Sequence, residues 1–360
     1  MREQARHWVE GVWRQAAPDF YFEDINPANG EIVGLVNDGG EAIAAEAVVA
    51  ARRALDGTSW AHNPRVREAV LLDYAQRLEA RKTELAGLLT ADNGKLMSEA
   101  LGEMGMCISE LQYYAGLSRN LFGRTIELEP GLFSMLSREP MGVAGIIVPW
   151  NAPAVLMIRS LAPALAAGCT AVVKTAPQTA VFSEALFKIL AEVDALPPGV
   201  VNMFTETGSE GSRYLVSTVD VDVISYTGST EVGKSIMAAG ARTLKRMNLE
   251  LGGSAPCVML DDSDVKSASA AIVRAGMSMA GQFCCSATRV LVHRSKLDEA
   301  QAALAGSIAG LIVGPGDAPA SQMGPLIDSA GRDRMLKLIE ESAKTDDIIC
   351  RGEPLGGLLE

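Results

Sequence analysis

Histidine is nearly missing from this chain: its 360 residues hold three, His7, His62 and His293, all outside any motif. Histidine-based catalysis and a histidine-rich metal site are therefore not expected, and no metal is assigned. The six cysteines (Cys107, Cys169, Cys257, Cys284, Cys285 and Cys350) form no C-x-x-C pair and are too sparse for a disulfide scaffold. A reducing compartment fits, with most thiols serving as small buried hydrophobes. Basic residues are in deficit too: 32 Lys plus Arg against 44 Asp plus Glu leave a net charge of −12. Without a cationic stripe nothing attracts a phosphate backbone, so no nucleic-acid partner is expected. No apolar run reaches membrane length, and no basic start leads into an apolar signal core. The reading is a cytoplasmic protein without a membrane partner.

What is present is an ordinary globular composition, 48% hydrophobic and 21% charged, in a length that exceeds one hydrophobic core. Two domains are expected. Residues 1–40 read as short strands punctuated by turns, including Asn26-Pro27-Ala28-Asn29-Gly30. Apolar residues then recur at helical spacing over 41–55, 64–90 and 95–121, predicting three helices. Two strands at 125–129 and 133–138 around Pro130-Gly131 predict a protruding arm, an element that often pairs with another subunit. From Gly142 onward, continuous Val/Ile runs alternate with amphipathic helices up to residue 308. Such runs suit parallel strands buried on both faces, so the fold class is α/β with a doubly wound, Rossmann-type sheet and a second α/β domain.

The stretch Met279-Ala280-Gly281-Gln282-Phe283-Cys284-Cys285 organises the functional reading. It closes an apolar helical run from Asp264 to Ala280 and carries a thiol just past a glycine. Upstream, Leu249-Glu250-Leu251-Gly252-Gly253 ends a short apolar segment on a carboxylate. A thiol attacks a carbonyl carbon only as thiolate, so a neighbour must accept its proton. Cys284 is the candidate nucleophile and Glu250 the candidate base, although two buried core thiols would give the same Cys-Cys spelling. Val148-Pro149-Trp150-Asn151 ends the strongest strand, where a ligand crevice opens in such sheets. Asn151 there could stabilise an oxyanion or only cap a helix. Lys174 ends the next apolar strand on the same rim. Residues 228–235, GSTEVGKS, match the P-loop pattern in full, and Leu260-Asp261 could imitate its magnesium-binding Asp. A helix N-terminus favours an anion, which could be a triphosphate or a pyrophosphate.

Together these residues resemble the NAD(P)-dependent aldehyde dehydrogenase superfamily, from about Phe20 to Leu326. The stretches that carry the resemblance are EPMGVAGIIVPWNAP, LAPALAAGCTAVVKTAP, VDVISYTGSTEVGKS, LELGGSAP and GQFCCSATR, in that order. The resemblance implies oxidation of a small-molecule aldehyde to a carboxylate, with NAD or NADP as cofactor. It makes Cys284 the nucleophile that forms a thiohemiacetal, Asn151 part of the oxyanion hole, and Glu250 the base for the hydrolytic water. Val148, Pro149, Trp150, Lys174, Gly208, Gly228, Ser229, Gly233 and Leu251 match cofactor-binding positions. Arg159 resembles the position from which semialdehyde dehydrogenases address a substrate carboxylate. Residues 1–121 and 141–252 would form the dinucleotide-binding domain, 122–140 the oligomerisation arm of a homodimer or homotetramer, and 253–360 the catalytic domain.

The chain departs from the family pattern in three places. Pro177 stands where many NAD-preferring members have a Glu, leaving NAD versus NADP open, and Glu206 replaces a Gly of the usual turn before Gly208. A later Glu-Ile-Phe-Gly-Pro-like motif is absent, so a fragment or natural truncation with an incomplete catalytic domain is expected. The presence of Glu250 favours hydrolysis over acyl transfer to CoA. Two rivals stand beside this reading: a catalytically impaired nucleotide-binding relative and a P-loop nucleotide hydrolase.

Overall fold

The computed structural model describes residues 4–16 and 20–352. The outermost residues of the expected domains, 1–3 and 353–360, lie outside the described residues. The chain begins with short strands β1 (Gln4–Ala5), β2 (His7–Val9), β3 (Val12–Arg14), β4 (Tyr21–Ile25) and β5 (Ile32–Asn37). Helices α1 (Glu41–Gly57), α2 (Pro64–Ala80), α3 (Lys82–Asn93) and α4 (Met97–Ser118) follow. One helix was expected over 64–90, but it breaks at Arg81, whose N–H turns back onto the Leu78 and Glu79 carbonyls. Next come the hairpin β6 (Arg124–Glu129) and β7 (Leu132–Leu136), then β8 (Val143–Ile147), α5 (Pro153–Ala167), β9 (Thr170–Thr175), α6 (Ala180–Leu190), β10 (Val201–Thr205), α7 (Glu210–Ser217), β11 (Val223–Gly228), α8 (Thr230–Gly240) and β12 (Arg246–Leu251). The remainder holds β13 (Pro256–Met259), α9 (Val265–Met277), β14 (Arg289–Val292), α10 (Leu297–Ala309) and α11 (Ser329–Ser342).

These elements form two compact units. The first takes the residues up to Asp24, Gly34–Leu85 and Gly102–Glu250; the second takes Ile25–Val33, Ala86–Leu101 and the residues from Leu251 on. Segments 25–33 and 86–101, assigned by sequence to the dinucleotide-binding domain, thus group with the second unit. Local contacts explain this for the second segment: Met97 N–H donates to the Gly316 carbonyl, and a Cβ on Gly94 would strike Pro27 and Pro325.

In the first unit a seven-stranded sheet runs in the order β12-β11-β8-β9-β10-β2-β3. Strands β11, β8, β9 and β10 are parallel, and β8 is buried along its whole length, as its unbroken apolar run requires. From β8 through α5 to β9, and through α6 to β10, the chain advances in one direction; α7 then returns it to β11 on the other side of β8. Right-handed crossovers place α5 and α6 on one face and α7 on the other, the doubly wound arrangement. Packing agrees, with α2 against α5 and α6, and α1 against α7. The reversal makes the carboxyl ends of β8 and β11 the topological switch point, where such sheets bind ligands. Helix α1 comes close to the sheet because Ala44, Ala47 and Ala51 on its buried face are small.

His7 sits buried at this sheet's β2, its Nδ1 accepting the Thr205 N–H at 3.3 Å. Burial lowers its pKa to about 4, against the opposing pull of Asn37 and Asp38. The unfolded chain would protonate the same imidazole near 6.5, so folding stability is intact above that pH and declines as pH falls from 6.5 to 4. The full decline attributable to His7 is about 3 kcal/mol. Urea midpoints measured across this range should show it, and His7→Gln should flatten it; equal pH slopes in the two proteins would contradict the assignment.

In the second unit β13 and β14 pair in parallel, joined through α9. Met259, Val265 and Ala300 form its small core, with Ile272, Val290 and Val292 packed on it.

Candidate active site

The first-unit residues are best built from α4 outward. Glu103 falls on the buried stripe that also carries Met104, Cys107 and Leu111, and its carboxyl is fully buried. Its Oε1 accepts the N–H groups of Ala154 (2.9 Å) and Val155 (3.2 Å). These are the first two N–H groups of α5, because Pro153 has none and the N-cap Ala152 has no side-chain oxygen. A carboxyl from another helix therefore caps α5 and fixes the turn that carries Val148, Pro149, Trp150 and Asn151. Val148 is buried, while Pro149, Trp150 and Asn151 are half-buried at the carboxyl end of β8. Lys174 lies on the neighbouring rim position, paired in register with Ile147 of β8 and Phe204 of β10.

At the other side of the switch point, Gly228 ends β11 and Ser229 caps α8, its Oγ accepting the Val232 N–H at 3.4 Å. A Cβ on Gly228 would strike the Tyr226 ring and hydroxyl, so a side chain there would have to displace Tyr226. The N–H groups of Thr230 and Glu231, in the first turn of α8, point to where an anion is favoured. A dinucleotide's pyrophosphate suits this helix end. A P-loop does not: Thr230 to Lys234 are already helical and form no loop to wrap a triphosphate. Lys234 instead pairs with Glu231 at 2.9 Å on the exposed helix surface. Gly233 is a buried residue at the start of α8 whose N–H donates to the Ser229 carbonyl. Gly208 is exposed in the turn before α7.

Glu250 is exposed on β12, the edge strand beside β11, and Leu251 ends that strand in the second unit. Arg159, exposed on α5, lies 3.6 Å from Glu110 on α4. An exposed pair of this kind contributes little stability, and it supplies the arginine with a carboxylate from its own chain.

In the second unit the helix expected to reach Ala280 stops at Met277. Met279, Ala280 and Gly281 follow with φ of 51°, 56° and 74°. Two non-glycine residues in the left-handed region cost about 1–2 kcal/mol each, and such strain persists only where surroundings enforce it. Glu99 enforces it here, its Oε1 accepting the Met279 N–H at 2.8 Å while Oε2 accepts the Leu96 N–H at 3.0 Å. Gln282 ties the turn further, donating to the Met279 carbonyl and accepting the Ile327 N–H, both at 3.0 Å. The turn delivers Cys284 and Cys285 exposed, with sulfurs 3.6 Å apart and unbridged. The alternative of two buried core thiols is thereby removed. Glu99 and Glu103 escaped the sequence reading; a carboxylate on an otherwise apolar helical stripe was the available signal for Glu103.

A doubly wound sheet with a helix N-terminus open to an anion at its switch point is the form of a dinucleotide-dependent enzyme. The chain belongs to the aldehyde dehydrogenase family, whose model matches residues 13–358. It is 36% identical over 354 residues to aldehyde dehydrogenase 1A1 of Macaca fascicularis, covering 97% of this chain and 70% of that relative. The NAD+ complex of an aldehyde dehydrogenase from Bacillus cereus is similar with a TM-score of 0.91 at 33% identity, over 95% of this chain and 70% of that one. Betaine aldehyde dehydrogenase from Staphylococcus aureus, also in complex with NAD+, gives 0.92 at 31%, over 94% and 68%. The protein is thus an aldehyde dehydrogenase, an oxidoreductase with NAD or NADP as acceptor. The P-loop hydrolase reading falls. Among the described residues no helix is long and apolar enough to cross a membrane, and no cluster of His, Cys, Asp and Glu could hold a metal.

Proposed function

We propose that this chain oxidises an aldehyde to a carboxylate with Cys284 as nucleophile, Asn151 as oxyanion donor and Glu250 as base. The observation that carries the reading is the exposed Cys284 at the end of a strained turn held by Glu99. The Cys284 sulfur adds to the carbonyl carbon, and the Asn151 amide donates to the oxygen that gains charge. The bound dinucleotide supplies the hydride acceptor. Loss of hydride leaves an acyl thioester on Cys284; Glu250 then takes a proton from water, which attacks the acyl carbon and releases acid and thiol. Pyrophosphate is assigned to Gly228, Ser229 and the start of α8, the adenosine ribose to Lys174, and the strand end Val148–Trp150 to the cofactor's flank. Gly208 and Leu251 complete the cofactor contacts. The first unit is read as the dinucleotide-binding domain and the second as the catalytic one.

The test is Glu250→Gln. One burst of reduced cofactor, about one per active chain, should be followed by a steady rate lowered about 10²–10⁴-fold, with an acyl adduct on Cys284 by mass spectrometry. An unchanged steady rate would remove Glu250 from the mechanism.

Arg159 would serve a dicarboxylic semialdehyde only by exchanging Glu110 for the substrate carboxylate, and a panel of anionic and neutral aldehydes reads this out. Among the described residues the hairpin β6–β7 pairs with no other strand, and it exposes Ile126, Leu128, Leu132, Phe133, Met135 and Leu136. A lone two-stranded ribbon with an apolar surface needs cover, which supports assembly as a homodimer or homotetramer. Among the described residues no disulfide joins any of the six cysteines, in keeping with a cytoplasmic setting.

A further inference from the structure

The carboxyl ends of β9, β10 and β5 gather three charged residues in the first unit: Lys174, Glu206 and Asp38. Glu206 follows β10 directly, next to the register partners Lys174 and Phe204. It is buried, and its carboxylate fills the N-terminus of α7, accepting the N–H groups of Gly211 (2.7 Å) and Ser212 (2.9 Å) and the Ser212 hydroxyl (2.5 Å). Asp38 follows β5 and accepts the Thr207 N–H at 2.8 Å and the Thr207 hydroxyl at 2.5 Å. Burial lowers the Lys174 pKa, and the negative charges of Glu206 and Asp38 oppose that shift, so both carboxylates act on the lysine.

Two helix N-termini thus end up with opposite preferences. That of α8 is open to an anion, whereas that of α7 already holds the chain's own carboxylate. A phosphate brought beside Lys174 would find one cation flanked by two carboxylates. A ribose hydroxyl would find its acceptor in half-buried Asp38, two of whose roughly four lone-pair positions are used, while buried Glu206 contributes its charge. Pro177, one turn from Lys174, offers no side-chain acceptor of its own.

We propose that Asp38 and Glu206 make this enzyme select NAD over NADP, Asp38 by accepting from the adenosine ribose and both by repelling a 2′-phosphate. This rests on the assignment of the adenosine ribose to Lys174. An acidic residue in hydrogen-bond reach of the ribose is the general device for that choice in dinucleotide folds; here Asp38 supplies it, and Glu206 adds a second negative charge from the position at which a glycine was expected.

The test is calorimetric titration of NAD+ and NADP+ into the full chain and its variants, with no aldehyde present. The wild-type protein should bind NAD+ at least about tenfold more tightly than NADP+. Glu206→Gln, which keeps a hydrogen-bond acceptor for α7 and removes the charge, should shrink that ratio about tenfold, mainly by tightening NADP+. Asp38→Asn, outside the buried network, should move the ratio in the same direction and carries the test if Glu206→Gln does not fold. Equal or stronger binding of NADP+ by the wild type, or an unmoved ratio in folded variants, overturns the proposal. Lys174→Met separates the two layers of argument. If it leaves both affinities unchanged, the ribose assignment fails and takes the proposal with it; if it weakens both while the Glu206→Gln ratio stays fixed, only the proposal fails.

Discussion

Cys284→Ala is expected to lower aldehyde-dependent reduction of the dinucleotide by at least about 10⁴-fold, since it removes the thiol assigned to the acyl intermediate. Dinucleotide binding should be retained, because the switch-point residues Asn151, Lys174, Gly228 and Ser229 all belong to the first unit. The adjacent thiol is the natural control. Cys285 is exposed as well, with its sulfur 3.6 Å from that of Cys284, so exposure alone does not distinguish them. If Cys284 is the nucleophile, Cys285→Ala should oxidise aldehydes at close to the wild-type rate, and only Cys284 should carry the acyl group trapped in Glu250→Gln. Wild-type turnover by Cys284→Ala would end the thioester mechanism. A wild-type chain that binds dinucleotide and forms no product would instead support the impaired relative. Absorbance at the reduced-nicotinamide band and quenching of tryptophan fluorescence measure the two properties separately.

The parallel sheet was legible because its strands are short, continuous and apolar: Val143–Ile147 and Ala171–Val173 need both faces buried, and their spacing leaves room for one crossover each. The GST stretch illustrates the opposite case. Its spelling satisfies a P-loop, and only the position at which the helix starts, Thr230, shows that the last glycine and the lysine belong to the helix and not to a phosphate-binding loop. The cysteine turn was found from its residues but not in its shape. Apolar periodicity carried the helix on to Ala280, whereas a contact 180 residues away, from Glu99 to the Met279 N–H, holds the backbone left-handed. Glu206 was visible as an odd residue in a glycine turn, but its binding to α7 could not be read without knowing where β10 ends. Periodicity reports local burial; it is silent on which distant carboxyl satisfies which N–H.

Glu103→Ala should destabilise the chain by about 2–5 kcal/mol, because it leaves the N–H groups of Ala154 and Val155 buried without an acceptor. The cavity left by the lost side chain adds to that cost. Glu103→Gln keeps an oxygen that can accept both bonds and loses the charge that meets the α5 dipole, so its cost should be smaller, about 1 kcal/mol. The contrast between the variants, read from urea unfolding midpoints, identifies the cap as the cause in preference to lost volume. The same contrast should reach the chemistry. Since Asn151 precedes these two residues on the same turn, freeing α5's first turn lets the amide drift from the position at which it meets developing charge. At a temperature where Glu103→Ala is folded, its kcat should fall about 10- to 100-fold with little change in cofactor affinity, and Glu103→Gln should recover most of it. If Glu103→Ala were as stable as the wild type, the carboxyl would not be capping α5. If it were unstable but kept its full kcat, Asn151 would not depend on the cap.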